Sequence, residues 1–257
     1  CVGNIYIGGT GKTPTSIFLA NELLKLGKKP AILKKLYKSH DDEYMLIKKY
    51  FENLIISKSR IEGLNKAENS NFNVAILDDG LQDHSIKKDI NIVCFNQNQL
   101  IGNGLVLPSG PLRENLSVLK DIDIAIINGK KNKDFENKIK HIGKKLEIFY
   151  SSFKPVNLDQ FKNKKLLAIA GIGNPDNFFK LLEKNGLNVE EKLVFPDHYV
   201  FSKKKIINII SSAVKKSYHI IMTEKDYYKI HHYNLDKINY LKVSLVIDEK
   251  ERLLNKI

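Results

Sequence analysis

This chain is short of cysteine, short of arginine and without a long apolar run, and each shortage closes off a class of protein. Two cysteines in 257 residues, Cys1 and Cys94, cannot build a disulfide framework, which points to a reducing compartment. No apolar stretch approaches the roughly 18 residues of a membrane-spanning helix. The best is LLAIAGIG, at 166–173. No secretory signal peptide is visible, and there is neither an internal repeat nor a low-complexity tract. The chain does not open on methionine and begins inside what reads as a strand, so a further N-terminal segment is expected upstream.

Arginine is the most telling shortage. The net charge is +13, yet among 42 basic residues only Arg60, Arg113 and Arg252 are arginine. Recognition of nucleic acid leans on the bidentate guanidinium fork. With no arginine-rich stripe and no interleaved aromatic platform, no nucleic-acid partner is expected. The diffuse lysine coat leaves two readings open: a solvated surface, or attraction to anionic lipid head groups at about 1 kcal/mol per nearby lysine.

What is present is an alternation of elements. A hydrophobic content of 42% can bury one large core or two modest ones. Strands are expected at 2–7, 30–36, 53–57, 73–80, 90–96, 123–129 and 146–152, with helices from Lys12, at 41–51, at 59–68 and at 132–143. This βαβ rhythm implies a parallel sheet covered by helices. The polar run SFKPVNLDQFKNKK then reads as a linker, placed at 153–164. A second cycle follows, with strands at 165–170, 189–195, 218–223 and 240–247 and helices at 175–186, 203–216 and 224–230. The expectation is two α/β domains: 1–152, and a smaller one at 165–257 whose last helix is a candidate to return to the first.

The stretch IYIGGTGKTP, residues 5–14, carries the strongest chemical signal. Gly8, Gly9 and Gly11 permit positive φ and keep side chains from between the backbone and an anion. From Lys12 a helical pattern begins, with Ile17, Phe18, Ala20, Leu23, Leu24 and Leu26 as its apolar face. Strand, glycine turn and helix N-terminus make a nest of N–H groups at the positive end of a dipole. Residues 8–14 (Gly8, Gly9, Thr10, Gly11, Lys12, Thr13 and Pro14) are thus the expected nucleotide loop. Lys12 reaches the β/γ-phosphates and the Thr13 hydroxyl is a ligand for Mg²⁺. Pro14 is tolerated because the first helical turn has no N–H bond to lose. One feature departs from the Walker A spacing: Tyr6 stands where its first glycine belongs.

Other motifs are read beside their plainer alternatives. AILDDG resembles a Walker B strand, and Asp78 and Asp79 are candidate metal carboxylates that should point to opposite sides if strand geometry holds through both. In LPSGPLREN, Arg113 is either an anion clamp or, with Glu114, a helix cap. HDDEYMLI places Asp41, Asp42 and Glu43 at a helix start, where simple N-capping is the alternative. FPDHYVFS puts Asp197 and His198 just after a strand, and a lone histidine there also suits a structural role. TEKDYYKI differs from the guanine-reading [NT]KxD motif because Lys225 and Asp226 are adjacent, which argues against a GTPase.

Taken in order, VGNIYIGGTGKTP, DDGLQ, GNGLVLPSGPLREN, AGIGNPDNFF, FPDHYVFS and TEKD resemble the signatures of the tetraacyldisaccharide 4'-kinase family, the lipid A 4'-kinases of Gram-negative bacteria. They run from residue 2 to about 226. The family also lacks the first Walker glycine, so Tyr6 ceases to be an anomaly. The resemblance implies a P-loop NTPase-like parallel-sheet domain, a second and smaller α/β domain, and an active site in the interdomain cleft. It implies ATP and Mg²⁺ as cofactors, and transfer of the γ-phosphate to the 4'-hydroxyl of a tetraacylated glucosamine disaccharide 1-phosphate, giving lipid IVA. It also implies work at the cytoplasmic face of the inner membrane, on an anionic surface, with an N-terminal anchoring helix that this chain does not contain.

Carried over residue by residue, Lys12 and Thr13 hold phosphates and Mg²⁺, while Asp78, Asp79 and Gln82 serve the metal and the cleft. Arg113 and Asp197 join the cleft. Asp42 matches the family's base and His198 the histidine that orients it. Three departures fall on the acceptor side. KKLYKSH is a shortened form of the stretch before the base, Tyr199 replaces a second histidine, and Asp83 stands where histidine is usual. Two rivals stay open from the residues alone: a P-loop ATPase or ligase for a soluble metabolite, of dethiobiotin-synthetase type, and a non-catalytic nucleotide-binding module at a membrane.

Overall fold

A computed structural model describes residues 1–37, 41–197 and 199–257. The chain forms two compact units: Cys1–Tyr37 with Ile47–Phe153 and Leu245–Ile257, and Lys38–Leu46 with Lys154–Ser244.

The first unit contains β1 (Val2–Gly3), α1 (Lys12–Lys25), β2 (Pro30–Lys35), the second half of α2 (Asp41–Tyr50), β3 (Leu54–Ser57), α3 (Arg60–Asn69), β4 (Val74–Leu77), β5 (Ile92–Asn96), β6 (Ile124–Asn128), α4 (Lys133–Ile142) and most of β7 (Glu147–Pro155). Its strands read as near-continuous apolar runs, as strands covered on both faces must. Alternation decides which side each residue takes. In β5, Val93 and Phe95 join one core cluster and Ile92 and Cys94 the other; in β6, Ala125 and Ile127 separate from Ile124 and Ile126 in the same way. The strand orders are β3-β2-β4 and β1-β5-β6-β7, with every one of these pairings parallel. A parallel bridge from Val2 to Asp78, with the Asp79 N–H donating to the Val2 carbonyl at 2.8 Å, joins the edge of β4 to β1.

The second unit contains β8 (Lys165–Ala170), α5 (Pro175–Lys184), β9 (Asn188–Val194), α6 (Lys203–Lys215), β10 (His219–Thr223), α7 (Glu224–Ile230) and β11 (Ile238–Leu241). Its parallel sheet runs β11-β10-β8-β9. Phe178, Phe179 and Leu182 of α5 cover one face, and Ile206, Ile209 and Ala213 of α6 the other. The chain then returns to the first unit as β12 (Val243–Ile247), beside β7, and α8 (Lys250–Leu254), whose Leu253 is fully buried.

Four expectations from the sequence need correction. The strand expected at 240–247 is two strands in two different sheets, divided at Lys242. There the backbone turns aside, its N–H bonded to the Asn157 side chain and its carbonyl to the Val156 N–H. The stretch 153–164 includes the end of β7 and a 3-10 turn at Leu158–Gln160, and Phe161 is a buried member of the second unit's core. Polarity concealed that single aromatic anchor. The strand expected at 2–7 is regular only at Val2–Gly3, because residues 5–7 pair instead with residues 111–113. Finally, Leu24 and Leu26 are exposed, while Thr15, Ser16 and Glu22 are buried. The inward face of α1 is partly polar because it runs past charged groups.

Candidate active site

The glycine loop leaves β1 and enters α1 through two left-handed positions, Gly8 at φ 129° and Gly11 at φ 90°. Such angles strain any residue with a Cβ. Gly9 does not use the freedom it has, and is not at positive φ. Three successive carbonyls are held by amide side chains: Ile7 by Gln99 at 3.2 Å, Gly8 by Asn4 at 3.3 Å and Gly9 by Asn96 at 3.3 Å. Among the described residues the N–H groups of residues 8–11 donate to nothing. Carbonyls secured and N–H groups unspent form a cradle for an anion. The buried Thr10 hydroxyl likewise lacks a partner among the described residues. Pro14 is the third residue of α1, within the turn that lacks partners for its N–H groups.

Tyr6 fills the position of the first Walker glycine with a buried ring stacked on Phe95 at 6.2 Å. Its hydroxyl accepts the Asn96 N–H at 2.6 Å, and burial raises its pKa well above the usual tyrosine range. It is a structural post that holds Asn96, and through Asn96 the loop.

Asp78 follows β4 and is wholly buried. Its carboxylate accepts from Thr13 Oγ1 at 2.9 Å, Ser16 Oγ at 3.2 Å and Lys34 Nζ at 2.7 Å. Asp79 does not continue the strand. It takes φ 61°, so the strict alternation expected for the pair ends at Leu77. Its carboxylate lies 3.7 Å from Lys12 Nζ and 3.0 Å from Arg113 Nη1. Arg113 also reaches Gln82 Oε1 at 3.4 Å, and the Gln82 amide donates to the Asn4 carbonyl and to Glu114. Neither Arg113 nor Glu114 caps the following 3-10 helix: Asn115 does, accepting the Ser117 N–H at 3.0 Å. Behind them Arg60 bonds the Asp79 carbonyl and pairs with Asp83 at 3.1 Å. The Asp83 carboxyl is held below its usual range, first by the Ser85 hydroxyl and then, with Arg60 assisting, against the cost of partial burial.

The donors available to a metal fit Mg²⁺. Thr13 and Asp78 offer hard oxygens at one point, and no group of three or more His, Cys, Asp or Glu able to hold a metal occurs among the described residues. Mg²⁺ commonly takes one or two protein oxygens and completes its shell with phosphates and water.

In the second unit Asp42 is 5% exposed. Its Oδ1 accepts the Glu43 N–H at 2.9 Å, while Oδ2 is buried without a hydrogen-bond partner among the described residues. Lys225 Nζ lies 3.2 Å from Glu43 and 3.6 Å from Asp197. Burial alone would lower the pKa of this lysine; Glu43, Asp197 and Asp42 outweigh it, and the net shift is upward. His198, the expected partner of Asp42, lies outside the described residues.

Sequence reasoning passed over Ser16, Lys34, Asn4, Asn96, Gln99 and Lys225. Two signals were there to find. Lys34 and Lys35 end an otherwise apolar strand, with Lys34 still inside its buried stretch, and Ser16 sits one helical turn after Thr13, on the same face.

A family model described as Tetraacyldisaccharide-1-P 4'-kinase matches residues 1–257. The chain is 44% identical to a tetraacyldisaccharide 4'-kinase of Pelagibacter ubique (strain HTCC1062), covering 100% of this chain and 82% of that protein. It is 32% identical to one from Haemophilus influenzae (strain 86-028NP), over 98% and 79% of the two. Among solved structures, LpxK from Aquifex aeolicus, crystallised in complex with ATP, superposes with a TM-score of 0.69 at 26% identity, over 99% of this chain and 85% of that one.

Proposed function

Because this chain belongs to the tetraacyldisaccharide-1-P 4'-kinase family, we infer that it transfers the γ-phosphate of ATP to the 4'-hydroxyl of a tetraacylated glucosamine disaccharide 1-phosphate, the step that yields lipid IVA in lipid A biosynthesis. The observation that carries the reading is the meeting of Thr13 and Asp78 beneath a loop of unspent N–H groups, with Lys12 beside it. Phosphoryl transfer asks a protein mainly for positioning and charge, and this arrangement supplies both.

The loop N–H groups and Lys12 hold the β- and γ-phosphates. Thr13 and Asp78 are the groups to hold Mg²⁺, and Asp79 fixes Lys12 and Arg113. When bound, Mg²⁺ would supply positive charge that offsets the charge of the phosphates. Arg113, freed from any capping duty, is the candidate clamp for an anionic group, with Gln82 steadying it. Asp42 accepts the proton of the 4'-hydroxyl through its idle Oδ2, and His198 orients it. Asp197 joins them on the acceptor side.

The acceptor's acyl chains are rooted in a bilayer, so the enzyme works at a membrane surface, on our reading the cytoplasmic face of the inner membrane. No helix among the described residues is long and apolar enough to cross a membrane. The lysine coat supports attraction to anionic head groups. Sedimentation with anionic vesicles should therefore weaken steeply as salt rises; binding indifferent to salt would remove the lysines from the account.

The deciding experiment incubates the protein with Mg-ATP and the lipid acceptor in detergent. A product heavier by one phosphate is expected. ATP consumption without any phosphorylated lipid would overturn the reading and return the soluble-metabolite alternative, which the family relationship does not favour.

A further inference from the structure

The sheet of the second unit grows from β8 to β9 in one direction and then from β8 to β10 and β11 in the other. Open α/β sheets bind ligands outside the carboxyl ends of their strands at such a switch point. The segments leaving the sheet there are 171–174, after β8, and TEKD at 223–226, after β10.

TEKD faces two ways. Thr223 caps α7, accepting the Asp226 N–H at 3.1 Å and donating to the Asp226 carboxylate at 2.6 Å. Asp226, fully buried, also accepts the Gly171 N–H at 2.7 Å and pairs with Lys229 at 2.7 Å; Lys229 bonds the Gly171 carbonyl at 3.0 Å. This interlock fixes the first turn of α7 against the loop after β8. Lys225, between these anchors, turns instead to the acidic group formed by Glu43 and Asp197, with Asp42 contributing to its field.

We propose that Lys225 is a positioning residue for the transfer: its ammonium, held in place by the Asp226 interlock, pairs with Glu43 and Asp197 and, next to Glu43, leaves Asp42 as the carboxylate that receives the acceptor proton. The proposal rests on the reading of Asp42 as the base. Its physical ground is that carboxylates crowded without a cation drive one of their number to take up a proton. A protonated Asp42 accepts nothing. Among the described residues the charged groups around Lys225 are Asp42 and Glu43 on α2, Asp197 after β9, and Glu224, Asp226 and Lys229 on its own helix, the last two turned to Gly171. The upward shift of the lysine agrees with an ammonium that stays charged wherever the enzyme works.

The test measures kcat and the KM for ATP against pH in the full chain and in Lys225→Met, Lys225→Arg, Asp197→Asn and Asp42→Asn, with a melting temperature for each. Lys225→Met should lower kcat about tenfold to a hundredfold at neutral pH and move the acid limb of its profile up by about one unit, so that the loss shrinks as pH rises. The KM for ATP should stay within about twofold, and Lys225→Arg should keep most of the rate. Asp197→Asn, which removes a negative neighbour, should move the limb downward, and it serves where Lys225→Met does not fold. An acid limb unmoved in both variants makes Lys225 a plain ion pair and overturns the proposal. If Asp42→Asn keeps full activity, the base assignment itself fails; if Asp42→Asn is inactive and the limb does not move, the role of Lys225 alone is refuted.

Discussion

The phosphate loop of the first unit and the acidic group of the second handle charge in opposite ways. Around the loop each charged side chain has a close counterpart: Asp78 with Thr13, Ser16 and Lys34, Asp79 with Lys12 and Arg113, Asp83 with Arg60. What is left over there is backbone N–H. Around Lys225 the surplus is anionic, and one buried carboxylate oxygen has no hydrogen-bond partner among the described residues. The contrast matches two tasks. Binding a polyanion calls for fixed donors with nothing else to bond. Accepting a proton calls for a carboxylate whose lone pair is not already engaged.

The sharpest way to break this contrast is to remove a cation from the first region. Lys12→Ala should reduce transfer to background while the melting temperature stays near that of the parent, since among the described residues the one ion pair of Lys12 is to Asp79 at 3.7 Å, and Asp79 keeps Arg113 at 3.0 Å. Near-normal turnover would refute the phosphate reading. Next comes the second region: Asp42→Ala should lower kcat by about 10²–10⁴-fold with little change in ATP affinity. His198→Ala should lose a similar amount, and the double variant much less than the product of the two, because residues acting as one unit are not additive. If Asp42→Ala chiefly weakens ATP binding, Asp78 or Asp79 becomes the better base.

The third change separates stability from chemistry. Lys34→Met strands a fully buried carboxylate and should cost about 3 kcal/mol in denaturant unfolding, toward the low end for a broken buried pair because two hydroxyls still serve Asp78. A loss below about 1 kcal/mol would show that the lysine is not a structural counter-ion. The smallest effect is at a helix cap: Ser59→Ala removes the cap on the Glu62 N–H and should cost about 1 kcal/mol, with kcat within about twofold of the parent.

Legibility in the sequence followed the same division. The α/β class and nearly every element were readable, because buried parallel strands announce themselves as apolar runs. The glycine turn into α1 was readable because its pattern is local: glycines, lysine and threonine stand contiguous where the strand gives way to the helix. What escaped was whatever depends on distant partners. Nothing near Asn4, Asn96 or Gln99 tells that each secures a loop carbonyl. Nothing in TEKD tells that Lys225 and Asp226 turn to different neighbours. The break at Lys242 was hidden because NYLKVSLVI keeps its β-pattern through the point where one sheet is exchanged for another.

The pairing of residues 5–7 with 111–113 has a further consequence. The Arg113 N–H bonds the Ile5 carbonyl at 2.7 Å and the Ile7 N–H bonds the Pro111 carbonyl at 3.0 Å. The entry to the glycine loop and the segment bearing Arg113 are therefore bonded to each other, though more than a hundred residues part them in the chain, and are expected to open together. Amide protons exchange with solvent at the rate set by such units. The two segments should share one opening free energy, and a nucleotide seated in the loop should slow exchange at Arg113 even where it makes no contact with that residue.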